Sequence, residues 1–131
     1  MIVDTSALIA VAAAEPAAGG LLSVLRSTGD LAISAASQLE CFLVSDRRPD
    51  PLISRRIEEL IRSLGVVVEP FTERQSTIAR RAYRDFGKGS GHQAGLNFGD
   101  CFSYALAIDT GRPLLFVGND FQHTDVRVAR Y

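Results

Sequence analysis

A chain of 131 residues, 47% hydrophobic and 22% charged, has the make-up of one soluble globular domain able to bury about two-thirds of its unfolded surface. Its net charge of −1 excludes a general attraction to nucleic acid or anionic membrane, so any nucleic-acid contact must come from a local basic surface. No apolar run approaches the length of a helical bilayer span.

Ile2 and Val3 are β-branched and apolar, as a buried strand requires, and Asp4 ends the run. A helix is expected from Ala7 to Ala14, capped by Thr5 or Ser6. Pro16 opens a second helix with Leu21, Leu22, Val24 and Leu25 apolar, and Gly29 closes it. Leu31 to Ile33 reads as a short strand. Ser34 then caps a helix over Ala35–Ser45, with Leu39, Phe42 and Leu43 as its buried stripe and Glu40 beside that stripe.

After the polar break at Asp46–Asp50, Asp50 caps a helix whose first residue is Pro51. Leu52, Ile53, Ile57, Leu60, Ile61 and Leu64 give it a 3.6-residue rhythm, and Gly65 stops it. Val66-Val67-Val68 is a continuous apolar run, the pattern of an interior parallel strand. Thr72 to Gln75 matches a capping box before a helix ending near Phe86-Gly87. Lys88 to Asn97 is a glycine-rich loop, and Asn97 to Thr110 a helix with Asp100 in its first turn and Gly111 at its end. Pro113 to Val117 is a buried strand running into Gly118-Asn119-Asp120, with a last short strand near Val126–Val128. Strands alternate with helices throughout, so the expected fold is a single three-layer α/β/α domain, residues 1–131, around a mostly parallel sheet.

Cys41 and Cys101 have no metal-binding spacing and are too few for a disulfide framework. Each is expected to be a reduced core residue of a cytoplasmic protein. The apolar opening does not read as a signal peptide, since it lacks a basic leader and carries Asp4.

Asp4, Glu40, Asp100 and Asp120 all fall at boundaries between strands and helices. Open α/β sheets place ligands at the carboxyl edge of their strands, where these acids can converge. Two charges ~4 Å apart repel by ~4 kcal/mol at an effective dielectric of ~20, so several carboxylates stay ionised together only around a cation. An oxygen-only donor set suits Mg²⁺ or Mn²⁺. Such a site equips a protein for phosphodiester hydrolysis by metal-activated water. No nucleophilic triad, phosphate loop or dinucleotide fingerprint is present. Each acid also has a plainer reading: Asp4 as a helix cap, Glu40 as a surface residue, Asp100 as a partner of the helix dipole, Asp120 as a turn residue.

Ile2-Val3-Asp4-Thr5-Ser6 resembles the opening of PIN-domain proteins, in particular the VapC-type ribonuclease toxins. The resemblance continues through Ile33-Ser34-Ala35-Ala36-Ser37-Gln38-Leu39-Glu40, Leu96-Asn97-Phe98-Gly99-Asp100-Cys101 and Leu114-Leu115-Phe116-Val117-Gly118-Asn119-Asp120-Phe121, in order along the whole chain. It implies a Mg²⁺-dependent endoribonuclease, with Asp4, Glu40, Asp100 and Asp120 as the acid set and the Thr5 or Ser6 hydroxyl in support. Asp125 competes with Asp120 for the last place. It also implies a homodimer and a cognate VapB-type antitoxin. The helices Pro16–Leu25 and Pro51–Leu64 carry more apolar surface than one sheet face demands, which suits both partners. Candidate RNA contacts are Lys88, His92, Arg84 and Arg112. Competing readings are an inactive PIN-like binding module and another Mg²⁺-dependent phosphohydrolase. An aspartyl phosphatase needs a second Asp where this chain has Ser6, and a phospho-accepting receiver domain needs a lysine after Lys88.

Overall fold

A computed structural model describes all residues, Met1–Tyr131. Four short strands, β1 (Ile2–Val3), β2 (Ala32–Ser34), β3 (Val67–Glu69) and β4 (Leu114–Leu115), form one parallel sheet in the order β3-β2-β1-β4. Six helices surround it: α1 (Thr5–Ala12), α2 (Ala18–Ser27), α3 (Ala35–Ser45), α4 (Leu52–Ser63), α5 (Glu73–Phe86) and α6 (Asp100–Thr110).

Successive strand residues point to opposite faces, and the two cores follow that alternation. Val3, Ile33 and Leu115 pack with Leu8, Leu21, Leu25 and Ile57 on the side of α1–α4. Ile2, Ala32 and Leu114 pack with Ala79, Ala82, Leu96 and Leu106 on the side of α5 and α6. This is the expected three-layer arrangement. Both cysteines are buried and unpaired, and burial is the first cause pushing the Cys41 thiol up to about 12 and Cys101 up to about 11. Neither is a nucleophile at neutral pH.

Some expectations are corrected. The valine run is not interior: β3 is an edge strand, with Val67 53% and Val68 40% exposed. In α3 the buried face is Ser37, Cys41 and Ser45, while Leu39 and Leu43 are exposed. Small residues let α3 sit close to its neighbours, and the larger apolar ones turn outward. The surplus apolar surface therefore lies mainly on α3, β3 and around Tyr83 and Phe98. In α2 and α4 Leu21, Leu25, Ile53 and Ile57 are buried, and Leu52 is the one large apolar side chain left exposed there. Helix α2 starts two residues after Pro16, and the last strand shrinks to a single bridge, Leu114 with Val128.

The order of the strands determines where a site can form. The chain runs from β1 outward to β2 and β3, then returns to place β4 on the other side of β1. The crevice beyond the carboxyl ends of β1 and β4 is thus the point where the strand order reverses.

Candidate metal centre

Asp4 leaves β1 at that crevice. It is 5% exposed and is itself the N-cap of α1, its Oδ2 accepting from the Ser6 N–H at 2.9 Å and the Ser6 hydroxyl at 2.7 Å. Thr5 and Ser6, the expected caps, are instead inside the first turn. The plain reading of Asp4 as a cap holds locally, yet its other oxygen has no protein partner. Ser6 Oγ also accepts from the Val117 N–H at 3.0 Å, tying the exit of β4 to the start of α1. That tie brings the Gly118-Asn119-Asp120 turn over the crevice.

Glu40 arrives from α3. A buried hydrogen bond between Ser37 and Ser103, 3.1 Å long, joins α3 to α6. The helices approach so closely that a Cβ on Gly99 would lie 1.9 Å from Glu40 Oε1. Glycine there leaves room for the carboxylate; any larger residue would push it aside. The Thr5 hydroxyl lies 3.3 Å from Glu40 Oε2 and 3.2 Å from the Ser37 carbonyl. Burial, then the charge of Asp4, raises the Glu40 carboxyl above its ordinary range, and Thr5 opposes the shift.

Asp100 opens α6 in a reciprocal cap. Its backbone N–H donates to Asn97 Oδ1 at 2.9 Å, and its Oδ2 accepts from the Asn97 N–H at 2.7 Å. Burial pushes its carboxyl up to about 7 against that hydrogen bond, with the charges of Asp4, Asp120 and Glu40 adding to the rise. Three distant segments therefore act on Asp100 through one shared space.

That space is a cleft of about 310 Å³ lined by Asp4, Thr5, Ser6, Glu40, Asp100 and Asp120. Three further polar groups on its wall, Glu15, Arg48 and Asn97, were not singled out in the sequence. Asn97 had a signal, since Asn followed by Asp three residues later has the spacing of a capping box. Glu15 and Arg48 had none, because each sits in a break between helices. Asp125 lies elsewhere, its Oδ1 taking the Tyr104 hydroxyl at 2.6 Å. None of the candidate RNA contacts lines the cleft. Arg84 pairs with Asp85 at 2.7 Å, and His92 packs on Phe86 with ring centres 4.9 Å apart. Lys88 is exposed in the loop after α5. Arg112 binds the Met1 and Asp30 carbonyls, at the amino ends of the strands.

The donor set is hard oxygen, which fits Mg²⁺ or Mn²⁺ rather than zinc. As the side chains stand, no three acidic, histidine or cysteine groups enclose a common point. Asp4, Glu40 and Asp100 each spend one oxygen on a local hydrogen bond and leave the second unpartnered, so one oxygen of each would be available to an ion.

The PIN domain family profile matches residues 1–127. Over 129 residues the chain is 57% identical to Ribonuclease VapC28 of Mycobacterium tuberculosis and to VapC ribonuclease Mb0625 of Mycobacterium bovis, covering 98% of this chain and 97% of each relative. Ribonuclease VapC42 of Mycobacterium tuberculosis is 46% identical over 129 residues, 98% of both chains. Among solved structures, the fold matches Mycobacterium tuberculosis VapC20, described as a sarcin-ricin-loop-cleaving toxin, with a TM-score of 0.77 at 20% identity, covering 99% of this chain and 98% of that one. FitAcB from Neisseria gonorrhoeae matches with a TM-score of 0.69 at 20% identity, covering 98% and 96%.

Proposed function

The chain belongs to the PIN-domain family, in its VapC ribonuclease branch, and from that premise we propose that it is a divalent-metal-dependent endoribonuclease, the toxin of a toxin–antitoxin pair. The observation that carries the metal-dependent part is the meeting of Asp4, Glu40, Asp100 and Asp120, from four separate segments, on one cleft at the reversal of strand order.

Asp4 and Asp100 would hold a Mg²⁺ or Mn²⁺ ion, with Glu40 and Asp120 completing the set. When bound, such an ion polarises the phosphate, lowers the pKa of water and neutralises the leaving oxygen. The chain's own residues position the acids. Ser6 fixes the rotamer of Asp4, the Asn97 backbone holds Asp100, and Thr5 restrains Glu40. Burial and the neighbouring carboxylates raise the Asp100 carboxyl to about 7, so a cation held there would favour its ionised form.

The purified chain incubated with total cellular RNA should produce fragments with Mg²⁺ or Mn²⁺ present and none with EDTA. RNA left intact at saturating metal, or cut equally well in EDTA, would overturn the reading.

The partners follow from the apolar surface. Leu39 and Leu43 on α3, the exposed edge of β3, and Tyr83 and Phe98 form the apolar surface left open. A homodimer, and a VapB-type antitoxin in the intact pair, would cover it. Light scattering at micromolar concentration should report twice the chain mass; a monodisperse single-chain mass would count against the dimer. No helix is long and apolar enough to cross a membrane.

A further inference from the structure

The cleft presents a problem to its own substrate. Five carboxylates, Asp4, Glu15, Glu40, Asp100 and Asp120, line it, and an RNA phosphate arriving there is repelled by all of them. Arg48 is the sole cation on the wall. It stands in the turn after α3, its backbone N–H bonded to the Ser45 carbonyl at 3.0 Å, and its guanidinium Nη1 is 3.7 Å from Glu15 Oε1. Both side chains remain partly open, 35% for Arg48 and 41% for Glu15. An ion pair this long and this wet adds little to stability, so the fold does not need it. Its geometry suits another purpose. A loosely held, half-open guanidinium is free to exchange one oxyanion for another, and its planar fork matches two phosphate oxygens.

We propose that Arg48 is the phosphate-binding residue of this cleft: its guanidinium takes non-bridging oxygens of the RNA backbone, and Glu15 holds it at the rim until the phosphate replaces the carboxylate. The proposal rests on the ribonuclease reading for its substrate. It assigns a role to two residues that the acid set leaves without one. The same contact supports the transition state, in which negative charge gathers on those oxygens. Arg47, the neighbouring cation, is exposed and does not line the cleft, so it serves as the control.

The test separates binding from cleavage. In an Asp4→Asn background, where RNA is not consumed, fluorescence anisotropy follows a labelled single-stranded RNA across a salt titration. Adding Arg48→Ala should weaken binding about tenfold and reduce the log–log salt slope by about 0.7, the signature of one lost phosphate contact on a single strand. Arg47→Ala should leave the slope unchanged, and Glu15→Gln should tighten binding a few-fold. With Asp4 intact, Arg48→Ala should cut kcat/KM on total RNA about 10²-fold and Arg48→Lys nearly as much, since lysine keeps the charge without the fork. Calorimetry should find Mn²⁺ affinity unchanged in Arg48→Ala.

An unchanged slope and rate in Arg48→Ala, equal losses in Arg47→Ala, or a Glu15→Gln chain that binds more weakly would each overturn the proposal. A wild-type chain that cuts no RNA, while its slope still falls with Arg48→Ala, would sink the nuclease reading and leave the phosphate contact standing.

Discussion

Asp4→Asn should abolish RNA cleavage while leaving the protein folded. The two halves of that result have separate causes. Asn has a side-chain oxygen where Asp4 Oδ2 stands, so it still accepts from the Ser6 N–H and hydroxyl and still caps α1. Asn and Asp are near-equivalent caps, so stability without metal should stay within about 1 kcal/mol of the wild type. What Asn lacks is the charge. Stabilisation by a bound ion is worth several kcal/mol to phosphodiester hydrolysis, and losing ~4 kcal/mol of it slows the reaction about 10³-fold. Asp4→Ala makes the contrast: it loses the charge and the cap together, so it should cleave no better and be less stable by a further ~1 kcal/mol. The pair is measured by thermal melting and by RNA cleavage in Mg²⁺. An Asp4→Asn chain that cuts RNA at the wild-type rate would end the metal mechanism. One that melts as early as Asp4→Ala would mean that Asp4 serves the fold through its charge.

The sequence made some of this legible and concealed the rest, for reasons that differ by residue. Asp4 stood out because a charge directly after two β-branched apolar residues has to lie at a strand end, and the structure has it there. The alternation of strands and helices led directly to three layers, since Ile2/Val3, Ala32/Ile33 and Leu114/Leu115 each divide between the two cores. Helix α3 was misleading because periodicity assumes that the largest apolar residues face inward. Here a Ser37–Ser103 contact requires the small face inward, which turns Leu39 and Leu43 out. Val66 to Val68 looked interior because a valine run records strand propensity, not whether a further strand lies beyond it. Glu15 and Arg48 had no local signal at all. Their meeting spans 33 positions and exists only because α1 and α3 lie side by side.

The second large effect is a dependence of stability on pH that should belong mainly to Asp100. An unfolded aspartate titrates near ~3.9, whereas burial and the surrounding charges push this one up to about 7 in the folded chain. Between those values the folded state holds a proton that the unfolded state has released. Stability without metal is therefore greatest at the acid side of the window, falls as pH rises toward 7, and levels off above it. The cleft is open to solvent, so the loss at neutral pH is on the order of 1–2 kcal/mol rather than the full value of the shift. Asp100→Asn cannot ionise. Its melting temperature should fall less than the wild type's across the same window, the rise at Glu40 remaining, and exceed that of the wild type at pH 8, while RNA cleavage is lost. Mg²⁺ reverses the wild-type trend, because an ion that binds the carboxylate stabilises more strongly as the competing proton leaves. Melting curves from pH 4 to 8, with EDTA and with Mg²⁺, read both effects at once. Parallel curves for wild type and Asp100→Asn in EDTA would mean that Asp100 is not held in a shared carboxylate field, and the metal reading of the cleft would go with it.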